Sequence, residues 1–246
     1  MITGVSKGLG RAFAEKFRAE GFAVAGVSRS KPNFEIELWL EGDITDPGFR
    51  RSLPSALKLQ FARLDVLINN AGIGGYETWE QAKEEDVRKL FELNFFAPIL
   101  LTQELIPLLR ENKGTIINVS SVAGRLAVPC MGAYCASKFA IDAFSDSLRV
   151  ELKPENIHVL NLTVGRINTG FSSRSFGAKK PPGSPGGNSS SPEGLAAKTY
   201  RAYTRKHRNI TYPAWYAPGI VLMKLFRGIY ERENIRRWKL GAGSGP

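Results

Sequence analysis

Apolar residues along this chain fall into two rhythms that alternate. Leu9, Phe13, Ala14 and Phe17 share one side of a helix predicted over Gly8 to Glu20, which Gly21 ends. The continuous apolar run Phe22 to Val27 then has the length of a buried strand. The alternation continues with a strand over Glu37 to Gly42 and a helix over Pro47 to Phe61, broken or begun around Pro54. A short strand, Val66-Leu67-Ile68, leads into Asn69-Asn70-Ala71-Gly72. A long helix is expected over Glu84 to Leu109, kinked or divided at Pro98 and Pro107. A strand at Thr115 to Ser120, a helix at Ala133 to Leu152 and a strand at His158 to Val164 follow. Strands separated by helices predict an α/β fold, a doubly wound, mainly parallel sheet of six or seven strands covered on both faces.

Beyond Ser172 this pattern stops. Gly, Ser, Pro and Asn dominate residues 172–192, which read as a mobile lid over the substrate mouth. Too little sequence follows to build a second core, so residues 1–246 are expected to form one domain. Residues 193–246 form a basic, helical C-terminal segment. It begins with a helix around Leu195 to Lys206. After Pro218, Leu222, Leu225, Phe226, Ile229 and Tyr230 stand against Lys224, Arg227, Arg232, Arg236 and Arg237 in an amphipathic pattern.

With 43% hydrophobic and 23% charged residues, wholesale disorder is excluded. No apolar run reaches the length of a membrane span, and a start at Met1-Ile2-Thr3-Gly4 suggests no signal peptide. Cys130 and Cys135 have neither zinc nor redox-pair spacing; they read as reduced thiols, which favours a cytoplasmic location and gives no metal site. Net charge changes the picture once it is located. Residues 1–173 hold 20 basic and 20 acidic side chains, so the whole +11 falls on the last 73 residues, with 14 basic against 3 acidic. Such asymmetry attracts anions: a phosphorylated substrate, an acidic carrier or a membrane surface. Without a recognition module, nucleic acid is not expected, whereas a peripheral membrane contact through this segment stays open.

The chemistry-bearing residues lie ahead of that segment. Thr3-Gly4-Val5-Ser6-Lys7-Gly8-Leu9-Gly10 stands between a strand and a helix, where glycines turn the backbone tightly and the helix N-terminus offers N–H groups to a pyrophosphate. Its spacing departs from the usual G-x-G-x-x-G. At the end of the second strand, an acidic residue would hold a free ribose hydroxyl; Ser28-Arg29-Ser30-Lys31 stands there instead. Arg29, with Lys7 as a second cation, suits a 2′-phosphate, so NADP (as NADPH) is the expected cofactor. Tyr134 and Lys138 lie four residues apart on one helical face, and the nearby cation is expected to lower the phenol pKa toward general acid/base work. Ser121, thirteen residues before Tyr134 at a strand end, is placed to polarise a carbonyl oxygen. Asn94 is a poor helix former inside a predicted helix, which suggests a special role.

Together these residues resemble the short-chain dehydrogenase/reductase family from Met1 to about Thr169, through Thr3–Gly10, Asp43, Asn69-Asn70-Ala71-Gly72, Asn94, Ser121, Tyr134 with Lys138, and Gly165-x-x-x-Thr169. The resemblance implies a Rossmann-like three-layer sandwich and an oxidoreductase moving hydride between nicotinamide and a carbonyl or secondary alcohol. It implies Tyr134 as acid/base, Ser121 orienting the substrate oxygen, Lys138 on the nicotinamide ribose, and Asn94 supporting a water in a proton relay. Asp43 and Ile44 would flank adenine, Asn70, Ala71 and Gly72 would line the cofactor cleft, and Ile167 and Thr169 would touch the carboxamide. Family members commonly pair through their long helices, here Glu84–Leu109 and Ala133–Leu152, which implies a homodimer or homotetramer. Two departures stand out: Val164 replaces the usual Pro before Gly165, and only Met1-Ile2 precede the Thr-Gly pair, so the first strand is expected to be a truncated stub. Leu126, Ala127, Val128, Pro129, Met131, Phe171 and Phe176 suggest an apolar substrate pocket, suited to acyl-type or other apolar ketones. A protein that binds NADP without turnover is the competing reading.

Overall fold

A computed structural model describes residues 1–179 and 190–240. Seven strands form a single all-parallel sheet in the order β3-β2-β1-β4-β5-β6-β7. These are β1 (Ile2–Thr3), β2 (Ala25–Ser28), β3 (Leu38–Glu41), β4 (Val66–Asn69), β5 (Thr115–Val119), β6 (His158–Val164) and β7 (Asn209–Tyr212). The first strand has two residues, yet it sits in the sheet centre: Ile2 and Thr3 pair with Gly26 and Val27, and Ile2 also pairs with Ile68. Strand β7 is an addition to the elements read from the sequence. Its apolar content is low, and it forms by pairing Asn209–Tyr212 with Asn161–Val164.

Both faces are covered, because successive side chains of a buried strand point to opposite sides. On one side α1 (Gly8–Ala19) and α6 (Pro192–Thr204) bring Phe13, Phe17, Leu195 and Ala196 against Ile68, Ile117 and Leu160. On the other, α2 (Pro47–Gln60), α4 (Ala97–Glu111) and α5 (Gly132–Glu151) pack Leu53, Leu101, Leu105 and Leu148 on Leu67, Ile116 and Val159. Alternating helices and strands thus give the expected doubly wound, three-layer arrangement.

The long helix differs in detail. Residues Glu84–Phe91 form α3, and Ala97–Glu111 form α4, with one π-helical turn, Glu92–Phe96, between them. Pro98 lies in the first turn of α4 and Pro107 lies within it, so the division precedes the prolines. A π turn inserts an extra residue and re-aims the side chains around it. Here the turn contains Asn94, which is 1% exposed and points inward.

Beneath the sheet's carboxyl ends runs a buried polar network. Asn69 donates to Thr102 Oγ1 and Asn118 Oδ1, both at 2.9 Å, and Asn118 donates to Ser145 Oγ at 2.9 Å. It joins β4, β5, α4 and α5, the elements that carry the site. Asn118→Ala leaves a buried hydroxyl and amide short of a partner, so it should lower stability by about 1–3 kcal/mol. Urea unfolding should show this as a lower midpoint at an unchanged slope.

Candidate active site

The strand order reverses between β1 and β4, and outside the carboxyl ends there opens a cleft of about 960 Å³. Its lips are held together chemically. Thr3 Oγ1 accepts from the backbone N–H of Asn70 and of Ala71, both at 3.0 Å, and the Asn70 amide donates to Thr3 O at 2.8 Å. Gly4, Ser6, Lys7 and Leu9 line one end of the cleft, while Gly8 and Gly10 shape it from behind. Gly4 and Gly8 have φ of +69° and +60°, a region that disfavours side chains. A Cβ on Gly10 would stand 2.1 Å from Gly4 O, so only glycine allows the helix to start this close to the strand. No side chain caps the start of α1 and no acid occupies its first turn, which leaves its N–H groups directed at the cleft end.

Arg29 lines the same end, 76% exposed and 3.7 Å from Asp43 Oδ2. Asp43 and Ile44 also line it; Asp43 Oδ1 is held by Thr45 N and Oγ1 at 3.0 and 2.9 Å. Asn70, Ala71 and Gly72 form the floor, and Gly165, Ile167 and Thr169 the opposite lip. Thr169 also rests against Gly8, where an added Cβ would be 3.2 Å from the Thr169 Cβ. This cradle of positive-φ glycines, an uncapped helix start and flanking cations fits an extended phosphate-bearing dinucleotide.

Further along, Ser121, Tyr134 and Lys138 converge on the cleft. Ser121 lies two residues beyond the end of β5, accepts from Ala123 N at 3.1 Å and stands beside the Tyr134 phenol. Tyr134 and Lys138 share one face of α5, the ammonium 5.8 Å from the ring centroid. The Lys138 ammonium donates to Val119 O at 2.9 Å. Burial lowers its pKa to about 8, opposed by the nearby carboxylate of Asp142. The expected lowering of the Tyr134 pKa is not what this arrangement gives: burial raises the phenol above its usual value, and the Ser121 hydroxyl only partly offsets this. The physical reason is that Lys138 spends its nearest hydrogen bond on Val119 O, while the phenol is almost wholly enclosed.

Asn94 does not line the cleft. It lies one layer behind, accepting from Ile73 N at 2.9 Å and donating to Ile73 O at 2.8 Å and Ser137 Oγ at 3.3 Å. A Cβ on Gly72 would be 3.0 Å from Asn94 Oδ1 and 3.8 Å from Lys138 Nζ, so Asn94 and Lys138 flank the same glycine. Of the apolar residues read as a substrate pocket, Leu126, Val128, Met131 and Phe171 line the cleft, but Ala127, Pro129 and Phe176 do not. Phe176 instead packs over Gly75, and Ala127 uses its carbonyl to accept from Tyr230 at 2.8 Å.

Residues 180–189, the middle of the expected lid, lie outside the described residues. On either side the chain is pinned: Tyr76 N donates to Phe176 O at 3.0 Å, and Asn168 N donates to Ser190 O at 3.2 Å. Sequence reading missed Tyr76, whose hydroxyl meets Ser172 Oγ at 3.1 Å, and the far wall built by α7 (Tyr216–Leu225) and α8 (Arg227–Trp238). The amphipathic pattern of that wall was visible, but its apolar sides gave no sign that one of them meets the cleft.

A crevice outside the strand ends at the point where strand order reverses is the ligand site of doubly wound α/β proteins. The short chain dehydrogenase family model matches residues 1–180, and the chain belongs to that family. A 3-ketodihydrosphingosine reductase of Bacteroides thetaiotaomicron is 37% identical over 174 residues, 70% of this chain and 64% of that protein. An NADPH-dependent 3-dehydrocapnine reductase of Ornithobacterium rhinotracheale is 36% identical over 184 residues, 69% of this chain and 65% of that protein. The matched region therefore spans less than two thirds of these relatives' own length. A crystal structure of a short-chain dehydrogenase from Streptomyces avermitilis superposes with a TM-score of 0.76 at 26% identity, covering 100% of this chain and 97% of that one.

The lowered pKa of Lys138 can be read directly. Because burial depresses it, the amine should be charged below about pH 8 and neutral above it. An NMR titration of the lysine Cε signals, assigned with Lys138→Met, should show one lysine with a midpoint well below the others.

Proposed function

We propose that this chain is an NADP-dependent oxidoreductase that reduces a ketone, or oxidises the matching secondary alcohol, on an apolar or acyl-type substrate. The observation that carries this reading is the convergence of Tyr134, Ser121 and Lys138 on a cleft whose other end is a glycine cradle beside Arg29. When bound, the dinucleotide supplies the hydride, which the substrate's carbonyl carbon accepts as its C=O π bond opens. Tyr134 donates its phenolic proton to the carbonyl oxygen, giving the alcohol, and recovers a proton from solvent. Ser121 orients that oxygen through its hydroxyl, which stands beside the Tyr134 phenol. Lys138 holds the ribose and stabilises the phenolate left behind, the state that burial alone disfavours. Asn94, one layer behind, fixes Ile73 and the π turn and supports the proton path beside Lys138.

For the cofactor, Thr3, Gly4, Ser6, Lys7, Gly8, Leu9 and Gly10 cradle the phosphates, Asp43 and Ile44 the adenine, and Asn70 to Gly72 with Gly165, Ile167 and Thr169 the nicotinamide half. Arg29 and Lys7 support NADP over NAD. The named activities of the two bacterial relatives, both reductases of 3-keto or 3-dehydro compounds, support a ketone as substrate. Leu126, Val128 and Met131 in the cleft support an apolar one. We further read residues 1–246 as one functional unit, with Ser172 and Arg174 lining the substrate end of the cleft. Phe96, Phe139 and Val150, exposed on the long helices, support pairing of copies there.

With NADPH and a panel of apolar ketones, cofactor oxidation should depend on Tyr134. Tyr134→Phe should lower kcat on the order of 10²–10⁴-fold while NADPH binding, followed by its fluorescence, persists. Near-parental turnover in that variant refutes the assignment. Arg29→Asp should weaken NADPH binding and strengthen NADH binding, since a carboxylate repels the 2′-phosphate and accepts from ribose hydroxyls. Equal affinity of the parent for the two cofactors counts against NADP.

A further inference from the structure

The two C-terminal helices are apolar on more sides than the protein itself covers. On α7 the cleft-lining residues are Tyr216, Gly219, Ile220 and Met223; on α8 they are Tyr230, Glu233, Asn234, Arg237 and Trp238. Both sets follow helical spacing and define one inward face per helix. Away from it stand Val221, Leu222, Leu225, Phe226, Ile229 and Ile235, each more than half exposed. Apolar side chains concentrated over fifteen residues form the kind of exposed patch that marks an interaction surface. Tyr230 fastens α8 to the body through Ala127 O, so the outward face is presented rather than free to fold back.

We propose that the outward face of α7–α8 docks on an anionic lipid surface, placing the mouth of the cleft against the bilayer. Charge chooses this occupant. Lys224, Arg227 and Arg232 are interspersed with the apolar side chains, and among the described residues no carboxylate lies within ion-pair distance of them. They belong to the last 73 residues, which carry the whole +11 of the chain. A second copy docked by two-fold symmetry would bring the same patch against itself and set these cations face to face. An anionic bilayer answers both components: acyl chains take Leu222, Leu225, Phe226 and Ile229, while lipid headgroups take the cations. No described helix is long and apolar enough to cross a membrane, so the contact is a surface one. Trp215, 62% exposed and stacked on Tyr216 at 3.8 Å, stands at the cleft rim where an aromatic ring suits the headgroup level. Because each helix has one face on the cleft and another on the lipid, an amphiphilic ketone can pass between them without crossing water. This delivery step rests on the reductase reading above; the docking itself does not.

Flotation of the full chain with phosphatidylcholine vesicles, with and without phosphatidylserine, tests the docking. Binding is expected with phosphatidylserine at low salt and loss at high salt. Lys224→Glu and Arg227→Glu should each weaken it about fivefold or more, and Leu222→Glu with Leu225→Glu should abolish it. None of these four lines the cleft, so turnover of a short, water-soluble ketone should be unchanged, while turnover of a long-chain ketone held in vesicles should fall. Failure to bind phosphatidylserine vesicles at low salt overturns the proposal, as does binding indifferent to phosphatidylserine and salt. Concentration-dependent self-association lost in Leu225→Glu assigns the face to a second copy and overturns it too. If the parent floats but reduces no soluble ketone, docking stands and the reductase reading fails.

Discussion

In an all-parallel sheet, every strand delivers its carboxyl end, and the loop after it, to the same side. Where the order turns from β2-β1 toward β4-β5, successive crossovers leave in opposite directions, and the loops after β1 and β4 part. The cleft is that parting, and the remaining features depend on its width being fixed. The Thr3 hydroxyl, taking the N–H groups of Asn70 and Ala71, sets the distance between the lips more rigidly than apolar contact alone. Gly10 sets the approach of α1, because any side chain there meets the carbonyl of Gly4.

Electrostatics inside the cleft run against charge. Burial pushes Tyr134 up and Lys138 down, each toward its neutral form, although Lys138, at about 8, stays charged at neutral pH. Such opposed shifts on neighbouring groups are typical of sites where a proton moves. Below them, Asp142 holds Arg125 at 2.9 Å and accepts from Asn161 at 2.6 Å, which keeps a negative group near the Lys138 amine without contacting it. At the opposite end the cations are exposed. Arg29 has only a long contact with Asp43, which leaves its planar donors available to an anion.

The two C-terminal helices differ from the rest of the molecule in how their apolar surface is used. Helices α1, α2, α4, α5 and α6 bury one stripe against the sheet. Helices α7 and α8 divide their surface between the cleft and the outside, and so connect the chemistry of the site to whatever lies beyond it.

The sequence by itself determined the elements whose pattern is local. Helical spacing of Phe13 and Phe17, the apolar runs at Val66 and His158–Val164, and the family motif through Tyr134 and Lys138 were all legible, because period and spacing are properties of neighbouring residues. The glycine turn was legible for the same reason. Tertiary structure decided what depends on distant partners. Strand β7 exists through its pairing with β6, not through its own composition. The break at Glu92–Phe96 precedes Pro98, and what it achieves, turning Asn94 onto Ile73, is a contact between residues 21 positions apart. The direction of the Tyr134 pKa shift followed from enclosure by Phe171 and neighbouring residues, and a sequence lists charges but not burial. The face of α7–α8 that meets the cleft was likewise invisible, since amphipathic spacing marks a side without naming what it touches.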